Sequence, residues 1–223
     1  MKDKPNQTIG IAVFAKAPIA GTAKTRLIPL LGEIGAAELH RQLTFKALET
    51  ACDASLGQVT LFTASEIDHP FFSECVRRYG VSLVPQQGED LGERMLHAIQ
   101  HLKKNLHGVL LIGTDCPALT PDNLKEAAKS LRESHMVFIP AEDGGYVPVG
   151  ATDVAPIAFS DIDWGTSDVL RQTRQQLSSI GWQQSRDWQE LLALWDVDLP
   201  DDYRRAVSAG YINDTFIPPV AGS

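Results

Sequence analysis

Lys16, Lys24 and Arg26 fall in the segment Phe14-Ala-Lys-Ala-Pro-Ile-Ala-Gly-Thr-Ala-Lys-Thr-Arg-Leu27, directly behind the apolar run Ile9 to Phe14. A strand that breaks into a Pro/Gly loop carrying fixed cations brings backbone N–H groups and positive charge to one concave spot, which suits an anionic ligand. In a chain of net charge −8, that points to a nucleotide or another phosphate ester. The bland alternative is a surface loop with solvated lysines. A Walker A loop sets Gly, Lys and Ser/Thr in direct succession, whereas two residues separate Gly21 from Lys24, so a P-loop NTPase is disfavoured.

The second candidate is Leu110-Leu-Ile-Gly-Thr-Asp115-Cys-Pro117, an apolar strand that delivers an aspartate at its carboxyl end. In parallel sheets ligands bind beyond those ends, so Asp115 is placed to hold Mg²⁺ or Mn²⁺ through oxygen. An Asx turn or helix cap is the plainer role, but Thr120 already supplies the cap of the next helix. Glu142-Asp143-Gly144-Gly145-Tyr146 reads equally as a tight turn and as a backbone that approaches a ligand closely. In Trp195-Asp196-Val197-Asp198, alternation puts both carboxylates on one side of an extended segment. That pair could chelate a cation, although Asp198 also suits the cap of the helix beginning at Pro200.

Other signals carry less. Glu93, His97 and His101 have a helical spacing able to bind zinc, but no fourth ligand accompanies them. Cys116 has no histidine near it in sequence and reads as a small buried thiol. The segment Gln86–Arg94 could read a base or ribose through backbone groups, or be a polar loop. With 20 basic against 28 acidic residues, non-specific binding to nucleic acid is not expected. Cys52, Cys75 and Cys116 form neither a disulfide framework nor a metal spacing, so a reducing cytoplasm is the expectation. Ile9–Ala15 is too short to span a membrane.

The elements that must position these residues alternate. Strands are predicted at Ile9–Ala15, Gln58–Thr63, Val81–Val84, Gly108–Ile112, Met136–Ile139 and Gly144–Gly150. Helices are predicted at Ile34–Ala54, His69–Tyr79 and Asp90–Lys104, and behind the N-cap and first-turn proline of Thr120-Pro121-Asp122. Beyond Pro140 the pattern loosens, with one long helix at Gly165–Ile180, no clear period over Trp182–Val197, a capped helix at Pro200–Ala209 and a frayed end at Ile217–Ser223. The alternation implies an α/β fold: a Rossmann-like, three-layer α/β/α sandwich with a mostly parallel central sheet. One domain over 1–223 is expected, its nucleotide-binding part at about 8–140 and its acceptor-side additions at about 141–212.

Taken together, Phe14–Leu27, Asp90–Met95 (DLGERM), Gly113–Pro117 (GTDCP), Glu142–Tyr146 (EDGGY), Trp164–Thr166 (WGT) and Asp196–Pro200 (DVDLP) resemble the GT-A-type nucleotide-diphospho-sugar transferase superfamily. More narrowly, they resemble a bacterial family of provisionally named glycosyltransferases with no established reaction. More distantly, the chain is similar to the guanylyltransferase that activates phospholactate in deazaflavin cofactor synthesis. The resemblance implies a nucleotide site over the first strand, with Ala15, Lys16, Pro18, Gly21, Lys24, Thr25 and Arg26 wrapping the phosphates. Gly88, Leu91, Gly92 and Glu93 would face the base. Lys24, Arg26 and Asp115 would be the catalytic groups, and Asp115, Asp196 and Asp198 would share a divalent metal, Mg or Mn. Glu142, Asp143, Gly144, Gly145, Tyr146, Trp164 and Thr166 would line the acceptor pocket. A D-x-D motif would need an acid at 117, where this chain has Pro117, so either a second carboxylate comes from far along the chain, or the metal is held weakly or not at all.

The implied partners are a nucleoside triphosphate or a nucleotide sugar, and a small-molecule acceptor. In nucleotidyl transfer the acceptor attacks the α-phosphorus and pyrophosphate leaves. In glycosyl transfer a sugar carbon is attacked and a nucleoside diphosphate leaves. Both need charge stabilisation on a diphosphate, so the motifs indicate the site rather than the reaction. The basic loop Lys16–Arg26 resembles nucleotidyltransferase loops more than glycosyltransferase ones, which slightly favours nucleotidyl transfer, while the family label leans the other way. A nucleotide-binding module without turnover stays open, and Pro117 is the feature that favours it.

Overall fold

The structure is a computed structural model that describes residues 8–64 and 67–213; the predicted frayed end at 217–223 lies outside the described residues. The first half of the chain alternates strictly: β1 (Ile9–Lys16), α1 (Ile28–Asp53), β2 (Val59–Ala64), α2 (Pro70–Tyr79), β3 (Ser82–Pro85), α3 (Leu91–Lys103) and β4 (Gly108–Ile112). Then follow α4 (Pro121–Ser130), β5 (Met136–Pro140), β6 (Tyr146–Ala151), α5 (Val169–Ser179), β7 (Trp188–Glu190) and α6 (Pro200–Ser208), with 3-10 turns at Thr25–Leu27 and Pro156–Phe159.

The strands form one seven-stranded sheet in the order β3-β2-β1-β4-β6-β5-β7. β1 pairs in parallel with β2 and β4, β2 with β3, and β5 with β7, while β6 runs antiparallel to both its neighbours. This is the mostly parallel α/β architecture that the alternation implied. Side-chain alternation along β1 builds the layers. Ile9, Ile11 and Val13 join one core with α1, α2, α4 and α6, whereas Ala12 faces the other core with α3 and Leu177 of α5.

Strand order reverses between β1 and β4: the chain leaves β1 toward β2 and later returns to β1's other side. Brought together there are the two carboxyl ends carrying the cation loop and Asp115, and such a switch point leaves a crevice between its outgoing loops.

Local chemistry set most boundaries. Thr120 and Asn123 form a reciprocal capping box at the start of α4. α1 is interrupted at Gly32, with φ 69°, so its regular part begins where the helix was predicted. The predicted helix at Gly165–Ile180 is corrected to Val169–Ser179: Gly165 has φ 80° and cannot continue a right-handed helix. Among the described residues no helix is long and apolar enough to cross a membrane.

Candidate active site

The cation loop is shaped to turn one of its charges inward. Lys24 has a left-handed backbone, φ 48° and ψ 47°, immediately before the 3-10 turn, a conformation that costs a non-glycine residue about 1 kcal/mol. Its side chain is only 5% exposed. The ammonium lies 2.7 Å from Asp115 Oδ1, 3.0 Å from Asp198 Oδ1 and 2.5 Å from the Val197 carbonyl. Lys24 thus donates hydrogen bonds to Val197 and Asp198 and pairs its charge with Asp115. The Val197 amide also donates to the Asp115 carbonyl at 2.8 Å, so the late segment 196–198 is stapled to the end of β4 through backbone and side chains alike. Arg26 differs: its side chain is 66% exposed, and it reaches only the second oxygen of Asp198, at 3.5 Å.

The charges follow from this packing. Burial works to lower the Lys24 pKa, but Asp115 and Asp198 overcome it and hold the ammonium above its ordinary value. Burial likewise works to raise Asp115, and the Lys24 ammonium reverses that, leaving the carboxyl below its usual range. One Asp115 oxygen is buried while the side chain as a whole stays 47% exposed. Among the described residues Asp196 has no ion-pair partner. Burial, then the nearby charges of Asp115 and Asp143, push it up to about 7. The Cys116 thiol is pushed to about 12, by burial and then by Asp196, which suits an inert core thiol.

Three cavities adjoin at this point. The largest, 430 Å³, runs over the ends of β1 and β4, with Phe14, Ala15, Lys16, Gln86, Leu91, Arg94, Asp115 and Asp196 among its walls. A second, of 150 Å³, is bounded by Lys16, Lys24, Thr25, Arg26, His40, Asp115 and Asp198. A third, of 270 Å³, lies between Arg26 and Asp198 on one side and Asp143, Gly145, Tyr146, Trp164 and Thr166 on the other. Lys16, His40 and Asp115 border both the first and the second; Arg26 and Asp198 border both the second and the third.

Several residues singled out in the sequence do not line these cavities but build their walls. Pro18 and Gly21 (φ 81°) shape the cation loop. Gly88 has φ 138°, and a Cβ there would stand 2.7 Å from the Arg94 amide nitrogen. Glu93 Oε2 accepts from the Glu89 amide at 2.8 Å, so this carboxylate braces the β3–α3 loop. Gly92 lets α3 dock, since a Cβ there would meet the Phe159 carbonyl and the Trp164 indole. Glu142 turns away to Arg205 of α6 at 2.7 Å, and Arg205 in turn stacks 4.1 Å over Trp195. Gly144, φ 92°, lies so close to the Ser167 carbonyl that a side chain would clash. Among the described residues no group of three or more His, Cys, Asp or Glu side chains is placed to hold a metal, and Glu93, His97 and His101 make no such cluster.

Sequence reasoning passed over Arg94 and His40. Arg94 donates to the carbonyls of Gly88 at 2.9 Å and Glu89 at 3.3 Å while lining the large cavity. Its signal was present in DLGERM, whose arginine sits one turn inside α3. His40 sits in the apolar stripe of α1, where a lone histidine reads as core.

The family model described as "uncharacterized protein conserved in bacteria (DUF2064)" matches residues 47–166, and the chain belongs to that family. It is 28% identical over 195 residues to the phosphoenolpyruvate guanylyltransferase of Geodermatophilus obscurus, a match covering 84% of each protein. The structure of a provisionally assigned nucleotide-diphospho-sugar transferase from Desulfovibrio desulfuricans G20 matches with a TM-score of 0.81 at 27% identity, over 93% of this chain and 89% of that one. The 4-diphosphocytidyl-2C-methyl-D-erythritol synthase of Anaerococcus prevotii shares the fold, with a TM-score of 0.61 at 10% identity, over 93% of this chain and all of that one, 100%.

Proposed function

We propose that this chain, as a member of that family, is a nucleotide-dependent transferase that moves a nucleotidyl group onto a small-molecule acceptor. The observation carrying this reading is the adjacency of the three cavities, the first and second sharing Lys16 and Asp115 and the second and third sharing Arg26 and Asp198. A nucleoside in the largest cavity, between Ala15, Lys16, Gln86, Leu91 and Arg94, would extend its phosphates into the cationic one. Its reacting phosphorus would then border the third, where Asp143, Gly145, Tyr146, Trp164 and Thr166 would hold the acceptor. Transfer between two bound ligands needs this adjacency, and positioning supplies a large part of the rate.

The two cations take different parts. Arg26, open to the cleft, would meet the departing pyrophosphate and stabilise its growing charge. Lys24 would keep Asp115 ionised and fixed in direction, and would contribute positive potential to the same cleft. Asp115 and Asp196 both border the large cavity, and Asp196 is raised by burial first and then by the negative charges of Asp115 and Asp143. Such a pair fits Mg²⁺ or Mn²⁺, which takes one or two protein carboxylates and completes its shell with phosphate and water oxygens. Asp198 is engaged by Lys24 and Arg26 and would serve the cations rather than the metal. When bound, the metal would supply charge neutralisation on the phosphates.

Nucleotidyl transfer is favoured over glycosyl transfer by the basic loop and by the similarity to a guanylyltransferase along 84% of each chain. GTP and phosphorylated small acids, phosphoenolpyruvate among them, are therefore the first substrates to try. The test is a panel of the nucleoside triphosphates with Mg²⁺ and such acceptors, read by pyrophosphate release, run beside a panel of nucleotide sugars read by nucleoside diphosphate release. Acceptor-dependent pyrophosphate is expected; diphosphate from a nucleotide sugar instead would overturn the reading.

A further inference from the structure

His40 is 2% exposed on α1, yet borders both the large cavity and the cationic one. Its Nε2 lies 3.1 Å from the carbonyl oxygen of Lys16, the last residue of β1. A carbonyl can only accept, so Nε2 carries the proton and donates. Nδ1 is buried without a hydrogen-bond partner among the described residues. Burial lowers the ring's pKa, against the opposing pull of Asp115, which keeps the imidazole neutral and Nδ1 a bare acceptor. An unpaired buried acceptor is a cost that an apolar residue of the same size would not carry. The compensating interaction is the one Nε2 makes, at the point where the strand becomes the cation loop.

We infer that His40 is a positioning residue for nucleotide binding: its Nε2–H holds the Lys16 carbonyl and so fixes the peptide plane from which the loop Ala17–Arg26 departs. A peptide is planar, so orienting that one carbonyl orients the first bond of the loop. The loop then carries Lys24 to Asp115 and Asp198 and leaves Arg26 open to the cleft. His40 touches neither reacting group in this scheme; it acts through the backbone of Lys16. The inference rests on the nucleotide reading proposed above.

Two amide substitutions separate this role from packing. In His40→Gln the side-chain nitrogen reaches about as far as Nε2 and can still donate to Lys16, whereas in His40→Asn it stops near the position of Nδ1. Two readouts are taken on the full chain: amide hydrogen exchange of residues 16–26 without ligand, and affinity for GTP with Mg²⁺ by calorimetry. His40→Asn should speed exchange of the loop and weaken GTP binding by about tenfold, the loss of one buried hydrogen bond. His40→Gln should restore both to within about threefold of the parent. Parent-like behaviour of His40→Asn in either readout, or a Gln variant no better than the Asn variant, would overturn the inference. If the parent binds no nucleotide, the proposed function fails, and the exchange of residues 16–26 still decides whether His40 orders the loop.

Discussion

The two flanks of the cleft are built in opposite ways. On the proposed nucleotide flank, groups far apart in sequence are locked together: Lys24 reaches Asp115, Val197 and Asp198 within 3.0 Å, and Val197 is hydrogen-bonded to Asp115. On the proposed acceptor flank, the wall from Asp161 to Asp168 is held by short-range bonds, such as Thr166 to the Asp163 carbonyl at 2.8 Å and Arg171 to Asp168 at 2.9 Å. Left-handed backbone recurs there at Gly144, Asp161 and Gly165. A rigid nucleotide flank suits a ligand whose phosphates must meet charges in one geometry. A locally braced flank leaves acceptor identity to a few side chains that can change without disturbing the sheet.

The contrast is broken most directly at Lys24. Replacing it with Met leaves Asp115 and Asp198 facing each other without their shared cation, and removing one partner of a buried ion pair costs about 3 kcal/mol at the lower end for carboxylates that are half open to solvent. Denaturant unfolding at neutral pH should show that loss together with loss of nucleotide binding; a loss below about 1 kcal/mol would mean that the nucleotide flank is not locked through Lys24. Next in size, Asp115→Asn should weaken metal-dependent nucleotide binding by about a hundredfold. Unchanged binding and turnover would remove Asp115 from the proposed metal site.

Asp196 gives a prediction of opposite sign. Its folded-state pKa of about 7 stands above the ordinary carboxylate value, so the folded state favours the protonated form. That contribution is complete below about pH 4 and is lost as pH rises toward about 7. In metal-free buffer, Asp196→Asn should therefore stabilise the protein by about 2 kcal/mol above neutrality and by nothing in acid. The same variant should bind metal and nucleotide less well, which sets the cost to folding against the use in the site. A stability gain independent of pH would contradict the assignment of the strain to the Asp196 charge.

The smallest effect is expected on the acceptor flank. Trp164 meets Tyr146 edge-on, with ring centroids 6.4 Å apart, and borders the third cavity. Trp164→Phe should raise the acceptor KM about threefold while leaving nucleotide affinity unchanged. An equal change in both would show that the two flanks are coupled rather than separately built.

Where the chain obeys local rules, its sequence foretold the structure. β1 and β4 are apolar runs ended by turn residues, and the cap at Thr120 is a local motif, so the sheet and the place of Asp115 at a strand end could be read directly. The partner of Lys24 could not: Asp198 is 174 positions away, and only the return of the late segment to β4 brings them together. Glu142 reads as part of the turn, but nothing local indicates that Arg205 draws it outward. The start of α5 at Val169 is not legible locally, because the positive φ of Gly165 is a property of the folded wall. His40 was hidden by its setting, since one histidine in an apolar helical stripe has no periodic signature of its own.

In the proposed reaction a nucleotide's α-phosphorus, not a sugar carbon, is attacked beside Arg26. The most direct measurement is to supply GTP labelled at the α-phosphate with Mg²⁺ and phosphoenolpyruvate or another phosphorylated small acid, and to follow the label. Label in an acceptor adduct, with unlabelled pyrophosphate released in equal amount and both lost in Arg26→Ala, is the expected result. Label left in GTP, while a nucleotide sugar gives up its sugar and releases nucleoside diphosphate, would contradict it.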